Sequence, residues 1–136
     1  MKKLFKQAAT IAMATMLASC ANNAQESISI DDQVDQLYEK MTNGERFAQL
    51  YGILHVEQFF NEDGTIDSAK CAQMIPDGVG HFSQYAVSQR KRPEELRDMV
   101  KQMQNWLMKN TPNGIPAIFH EEVLTGIATY DATVYP

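Results

Sequence analysis

The chain has 136 residues, of which 12 are lysine or arginine and 17 are aspartate or glutamate, so its formal net charge at pH 7 is −5. This length suits one small domain. The acidic balance argues against nucleic acid as a partner, because no basic stripe is present to neutralise phosphates.

The N-terminus has the pattern of an export signal. Lys2, Lys3 and Lys6 form a basic start, and residues 8–18 are almost wholly apolar or small. A helix that spans a bilayer needs about 20 apolar residues, and this run is shorter. The pattern therefore predicts that residues 1–19 are a secretory signal peptide and that the protein is exported.

The end of this segment, Leu17-Ala18-Ser19-Cys20, resembles the lipobox of bacterial lipoproteins. The resemblance implies that Cys20 becomes the lipid-modified first residue and anchors the protein to a membrane, in the periplasm or at the cell surface. Residues 20–29 are polar and small, as expected of a tether. Cleavage removes three lysines, so nine basic residues remain against 17 acids and the net charge becomes −8. The alternative is an ordinary signal peptide cut near Ala21 or Ala24.

Two helices are predicted after the tether. Residues 30–41 carry acids in the first turn and apolar residues at three- and four-residue spacing. Thr42 and Glu45 have the spacing of a capping box, which predicts a second, short helix. Its apolar face is predicted to consist of Phe47, Leu50 and Tyr51.

Strand and helix patterns then alternate. Residues 52–56 are predicted to form the first strand, 61–64 a turn, 67–75 a helix and 79–82 a short strand. Cys71 lies in the helix and is predicted to be a small buried residue rather than a nucleophile.

Residues 93–109 have the strongest helical pattern in the chain. Pro93 suits the first helical position, and acids follow it. Met108 lies off the apolar stripe. The stripe itself, with Trp106 at its edge, is predicted to consist of Leu96, Met99, Val100, Met103 and Leu107.

The third strand is predicted where Ala117, Ile118 and Phe119 follow Pro116. A continuous apolar run favours a strand that is buried on both faces of a parallel sheet. His120, Glu121 and Glu122 come directly after it, at the strand end where α/β proteins bind ligands. Because successive strand side chains point to opposite faces, only one of the two glutamates can face a central pocket. The other is expected to turn outward or to bond to a neighbouring helix.

The alternation of strands with helices predicts βαβ units with parallel strands. Three strands are too few for a closed (β/α)8 barrel, which takes about 250 residues. The patterns predict an α/β fold for residues 30–136. A chain of this length could form only the initial, incomplete part of a (β/α)8 TIM-type barrel, with an open edge at its last strand.

Residues 34–136 resemble the N-terminal portion of glycoside hydrolase family 3, the exo-acting β-glucosidases and β-xylosidases. The resemblance implies a barrel followed by a smaller α/β sandwich domain, with the sugar bound at the mouth of the barrel. It implies neither a cofactor nor a metal ion. It rests on four landmarks in order: Met41-Thr42 with Glu45-Arg46 and Gln49-Leu50; Gly78-Val79-Gly80; Gly114-Ile115-Pro116; and Glu122 before Gly126 and Thr133-Val134-Tyr135-Pro136.

By motif position, Glu122 matches the acidic residue with which the family binds hydroxyls of the terminal sugar. A carboxylate suits this role because it accepts charge-assisted hydrogen bonds from two vicinal hydroxyls. His120 and Glu121 flank it and are expected to orient the site. Thr125 stands where the family often has histidine, so the resemblance does not choose between glucose and xylose.

The family retains the anomeric configuration, which requires one carboxylate as nucleophile and another as general acid/base. In the family both residues come later than the matched segment, so no catalytic residue is assigned in this chain. Glu121 and Glu122 cannot replace them, because adjacent strand residues face opposite sides and cannot flank one bond. The expected whole enzyme removes terminal β-linked glucose or xylose from oligosaccharides, and the 136-residue chain alone is expected to be inactive.

Two other interpretations remain open at this stage. One is an exported lipoprotein without catalytic activity that serves as a binding or structural module, in which Glu122 is a helix cap or an ion-pair partner. The other places a metal at His55, His81 and His120, but their spacing matches no metal-binding motif.

Overall fold

In the computed structural model, residues 28–87, 91–123 and 126–133 are described. The chain divides into two compact units, Met1–Asp35 and Gln36–Pro136. The predicted signal peptide, Cys20 and the tether up to residue 27 lie outside the described residues, as do Thr125 and residues 134–136. No helix in the described ranges is long and apolar enough to cross a membrane.

Helices and strands alternate along the chain, as predicted. The strands are shorter than the sequence pattern suggested, and a 3₁₀ helix at Val56–Phe59 replaces the end of the first predicted strand. The elements are α1 (Ile30–Lys40), α2 (Asn43–Ala48), β1 (Gly52–Ile53), the 3₁₀ helix, α3 (Ser68–Met74), β2 (His81–Ser83), α4 (Pro93–Asn110) and β3 (Ile118–His120).

The capping box predicted at the start of α2 is confirmed. The Glu45 N–H donates to Thr42 Oγ1 at 3.1 Å, and the Thr42 N–H donates to Glu45 Oε2 at 2.9 Å. The prediction of an apolar face at Phe47, Leu50 and Tyr51 is wrong, because all three side chains are exposed. The residues that α2 buries are Ala48 and Glu45, so a carboxylate lies on the inward face of this helix.

The three strands form one parallel sheet in the order β1-β2-β3. The prediction that the chain forms the initial part of a (β/α)8 barrel is wrong. The described residues form a small mixed α/β structure with four α-helices and this three-stranded sheet. Closure into a barrel needs about eight tilted and staggered strands. Within the described ranges, β1 and β3 each pair with β2 alone, so the sheet remains open.

One face of the sheet packs against the core. Ile53, Phe82 and Phe119 share a row of the register and point to this face, where Phe82 is fully buried. The expectation that the third strand is buried on both faces is wrong, since Ile118 on the opposite face is 68% exposed. Alternation along β3 therefore divides its apolar run between the core and solvent.

Helix α4 supplies much of this core. Leu96, Met99, Met103 and Leu107 are buried as predicted, and Met108, which lies off the stripe, is exposed. Val100 is only half-buried, and Trp106, expected at the edge of the stripe, is buried as well.

Two glutamines on α4 bind backbone groups far along the chain. Gln104 receives a hydrogen bond from Ala117 N at 3.0 Å and donates to Ala117 O at 2.7 Å. Gln102 binds Ile66 N and Gly64 O in the same manner. Both therefore satisfy backbone groups that would otherwise lack partners next to the core.

Candidate functional site

Polar side chains from β2 and β3 lie together on the face of the sheet opposite the core row of Ile53, Phe82 and Phe119. Ser83 is in register with His120, and His81 is two residues before Ser83 on the same face. β2 ends at Ser83 and β3 ends at His120. In parallel sheets ligands bind beyond this edge because loops from several strands meet there. The two strands thus bring His81, Ser83 and His120 to one place although 39 residues separate the histidines.

The two histidines form a hydrogen-bonded pair. His81 Nδ1 lies 2.7 Å from His120 Nε2, and the ring centroids are 4.8 Å apart. One of these nitrogens must donate and the other accept, so the pair fixes the tautomers of both rings relative to each other. The ring of His81 also covers Gly52 on β1, where a Cβ atom would overlap with the imidazole. Glycine at this position is therefore what allows the pair to form.

Ser83 provides a buried hydroxyl in the same row. Its side chain is only 5% exposed, and its Oγ has no hydrogen-bond partner in the part of the chain that the structure describes. A buried polar atom without a partner costs about 1–3 kcal/mol. Ser83 carries no signal in the sequence, because one serine in a short strand forms no local pattern.

Glu121 is turned back toward the loop that follows β2. Its Oε1 accepts a hydrogen bond from the Ala86 N–H, while its Oε2 is buried and has no partner among the described residues. The partner of Glu121 is a loop backbone amide, and this hydrogen bond ties the ends of β2 and β3 together.

Glu122 has the opposite environment. Its side chain is exposed, and it makes no hydrogen bond or ion pair with any residue in the described ranges. Both carboxylate oxygens are therefore open to a ligand beyond the end of β3. The three residues predicted for the site have different partners. His120 binds His81, Glu121 binds the loop, and Glu122 is unpaired among the residues described.

A second buried carboxylate belongs to Glu45, which the sequence identified only as a helix cap. Glu45 is 1% exposed, and its oxygens accept hydrogen bonds from Thr42 N, Asn113 N and Asn113 Nδ2 at 2.9–3.0 Å. Burial raises the pKa of this carboxyl, but the hydrogen bonds from Thr42 and Asn113 outweigh burial and hold the pKa below the ordinary glutamate value. These contacts join α2 to the segment after α4, so we assign Glu45 a structural role.

The remaining predicted candidates do not assemble into a site. His55 contacts Glu57 at 3.2 Å and is not part of the His81–His120 pair. Across the described ranges, no group of three or more histidine, cysteine, aspartate or glutamate side chains is arranged to hold a metal ion. Cys71 is fully buried, and burial, with a smaller effect of Asp67, raises the pKa of its thiol to about 11. A thiol that stays protonated near neutral pH is a poor nucleophile, which agrees with its predicted role in the core.

The chain was compared with protein-family models and with curated proteins, and neither comparison finds a match.

Proposed function

We propose that this chain forms part of an exported, retaining exo-β-glycosidase and supplies a sugar-binding carboxylate, Glu122. The substrate is a β-linked oligosaccharide or glycoside with a terminal glucose or xylose. The proposal rests on the resemblance of residues 34–136 to glycoside hydrolase family 3. Its main structural support is that Glu122 is an exposed carboxylate, unpaired among the described residues, immediately beyond the C-terminal end of a parallel strand.

The neighbours of Glu122 support a binding role because they are fixed. His120 is oriented by His81, and Glu121 is oriented by the Ala86 amide. Fixed neighbours limit the orientations open to the backbone at residue 122, and pre-organised groups lose less entropy when a ligand binds. In this proposal Glu122 accepts hydrogen bonds from two vicinal hydroxyls, which are stronger than neutral ones because the acceptor is charged.

The adjacent glutamates do not supply the catalytic chemistry in this proposal. A retaining glycosidase needs two carboxyl groups about 5–5.5 Å apart on opposite sides of the scissile bond. Glu121 Oε1 is already bound to Ala86, and its other oxygen is buried. We therefore expect the purified 136-residue chain to bind sugar without hydrolysing it.

The experiment measures both properties on the same preparation. Glucose and xylose binding are followed by NMR titration, and hydrolysis is followed with an aryl β-glucoside. Glu122→Gln should weaken binding about tenfold or more, because a hydrogen bond to a charged group contributes about 1.5–3 kcal/mol. The matched control is Glu94→Gln, which removes an exposed acid on α4 and should leave affinity unchanged.

Two outcomes contradict the proposal in different ways. Equal sugar affinity in the parent chain and in Glu122→Gln would remove Glu122 from the site. Hydrolysis of the aryl glucoside by the 136-residue chain would show that the catalytic carboxylates lie within it.

A further inference from the structure

A groove of about 500 Å³ lies beside the C-terminal end of β2, apart from Glu122. Its first wall is formed by Tyr85 and Ala86, which follow the strand. Its second wall is one face of α4, and the third is the segment 127–132. Small-molecule sites in proteins typically measure roughly 300–1,000 Å³, so the groove has room for a ligand of one or two rings.

The groove surface is mainly apolar and includes two tyrosines. Tyr85 packs edge-on against Phe119, with ring centroids 5.4 Å apart, so this wall is held by the core. Leu96 anchors the α4 wall because its side chain is buried. Tyr130 lies in the third wall and is about half exposed. Such a surface favours an aromatic or alkyl group over a sugar, whose hydroxyls would need polar partners.

Two cations line the same groove. Arg97 and Lys101 are one helical turn apart on α4, and both are exposed. Lys101 has no hydrogen-bond or ion-pair partner in the described ranges, and the contact made by Arg97 is with its own neighbour Asp98 at 3.3 Å. The acid in the lining, Asp131, is paired with Arg92 at 3.5 Å. The charge without a partner in the described part of the groove is therefore the positive charge of Lys101, although the chain as a whole is acidic.

We propose that this groove binds a small organic anion with an apolar body, namely an aromatic or short alkyl carboxylate. The carboxylate lies between Arg97 and Lys101, and the apolar body packs against Tyr85 and Tyr130. Pairing with two cations offsets the loss of hydration of the carboxylate. Burial of the apolar body lowers the free energy of the complex, because apolar surface is removed from water. The site does not involve Glu122 and does not depend on glycosidase activity.

The test uses three ligands of related shape, titrated by NMR or calorimetry: 3-phenylpropanoate, hexanoate and the neutral 3-phenylpropanamide. We expect saturable binding of at least one carboxylate and about tenfold weaker binding of the amide, a difference of about 1.4 kcal/mol. Binding of 3-phenylpropanoate alone identifies an aromatic ligand, and binding of hexanoate alone identifies an alkyl one.

Charge-matched variants locate the site. The double variant Arg97→Gln/Lys101→Gln should weaken carboxylate binding tenfold or more, whereas Lys91→Gln/Lys109→Gln removes the same charge elsewhere and should leave it unchanged. Circular dichroism confirms folding of both. Glu122→Gln should leave carboxylate binding intact, which separates this site from the sugar site. The proposal is overturned if neither carboxylate saturates, if the amide binds equally well, or if the groove variant binds like the parent.

Discussion

Glu45 shows how one residue serves two purposes. The capping box is local, and it uses one carboxylate oxygen. Both oxygens also accept hydrogen bonds from Asn113, which is 68 residues away in the sequence. A buried carboxylate is tolerated here because donors surround it; without them its desolvation would be expensive.

The environment of Glu45 predicts a pH dependence of stability. Its pKa in the folded state lies below the ordinary glutamate value of 4.5, so its contribution to stability is fully present above that value. The contribution is lost as the pH falls through the lower folded-state pKa. Glu45→Gln should cost about 1.5–3 kcal/mol at pH 7 and less in acid, measured by urea unfolding at several pH values.

The control for this prediction is Glu62→Gln, an exposed acid in the turn after the 3₁₀ helix. Its free energy of unfolding should match that of the parent chain at every pH. If the cost of Glu45→Gln stayed constant from neutral to acidic pH, the carboxylate would not be the titrating group responsible.

At the scale of elements, α4 and the sheet differ in how their apolar residues are divided between the core and solvent. The helical stripe was predicted from spacing alone, and α4 buries five side chains along it and its edge. The sheet buries Phe82 and leaves Ile118 largely exposed. The difference arises because helical periodicity defines a single apolar face, while a strand made entirely of apolar residues does not say which of its two faces is covered.

Two methionines of α4 test which face of this helix is buried in the core. Met103 is fully buried in the core, so Met103→Ala should destabilise the fold by about 2–5 kcal/mol. Met108 is about half exposed on the same helix, and Met108→Ala should change stability by about 0.5 kcal/mol or less. Urea unfolding of both variants makes the comparison. Similar losses for the two would contradict the assigned orientation of the helix.

At the scale of the whole molecule, the predicted signal at the N-terminus implies a location for the protein. A lipoprotein signal predicts that the mature chain begins with a lipid-modified Cys20 and is held at a membrane surface. The acidic net charge gives no electrostatic attraction to anionic lipids, so in this prediction membrane attachment depends on the lipid at Cys20 alone.

Lipid anchoring can be measured by detergent phase partitioning after expression in a bacterium that processes lipoproteins. The parent chain should enter the detergent phase, and Cys20→Ser should remain in the aqueous phase. Cys71→Ala removes the other cysteine and should partition like the parent. If Cys20→Ser still entered the detergent phase, or if the mature protein began near Ala21 or Ala24 without lipid, the ordinary signal peptide would be the better interpretation.

The sequence by itself determined several local features of this protein. The capping box at Thr42, the turn at residues 61–64, the helix of Cys71 and the long helix α4 were predicted close to their observed bounds. The parallel order of the strands also followed from the alternation of patterns. Each of these features depends on residues a few positions apart, so a linear pattern is sufficient to specify it.

Only the tertiary structure decided which polar groups meet. The pairing of His81 with His120, the bond from Ala86 to Glu121 and the contact of Asn113 with Glu45 join residues 35 to 68 positions apart. The sequence predicted His120, Glu121 and Glu122 as neighbours but not their different partners. It also suggested the start of a barrel, which an open three-stranded sheet does not form. These contacts depend on register and on which face the helices cover, and local periodicity does not encode either.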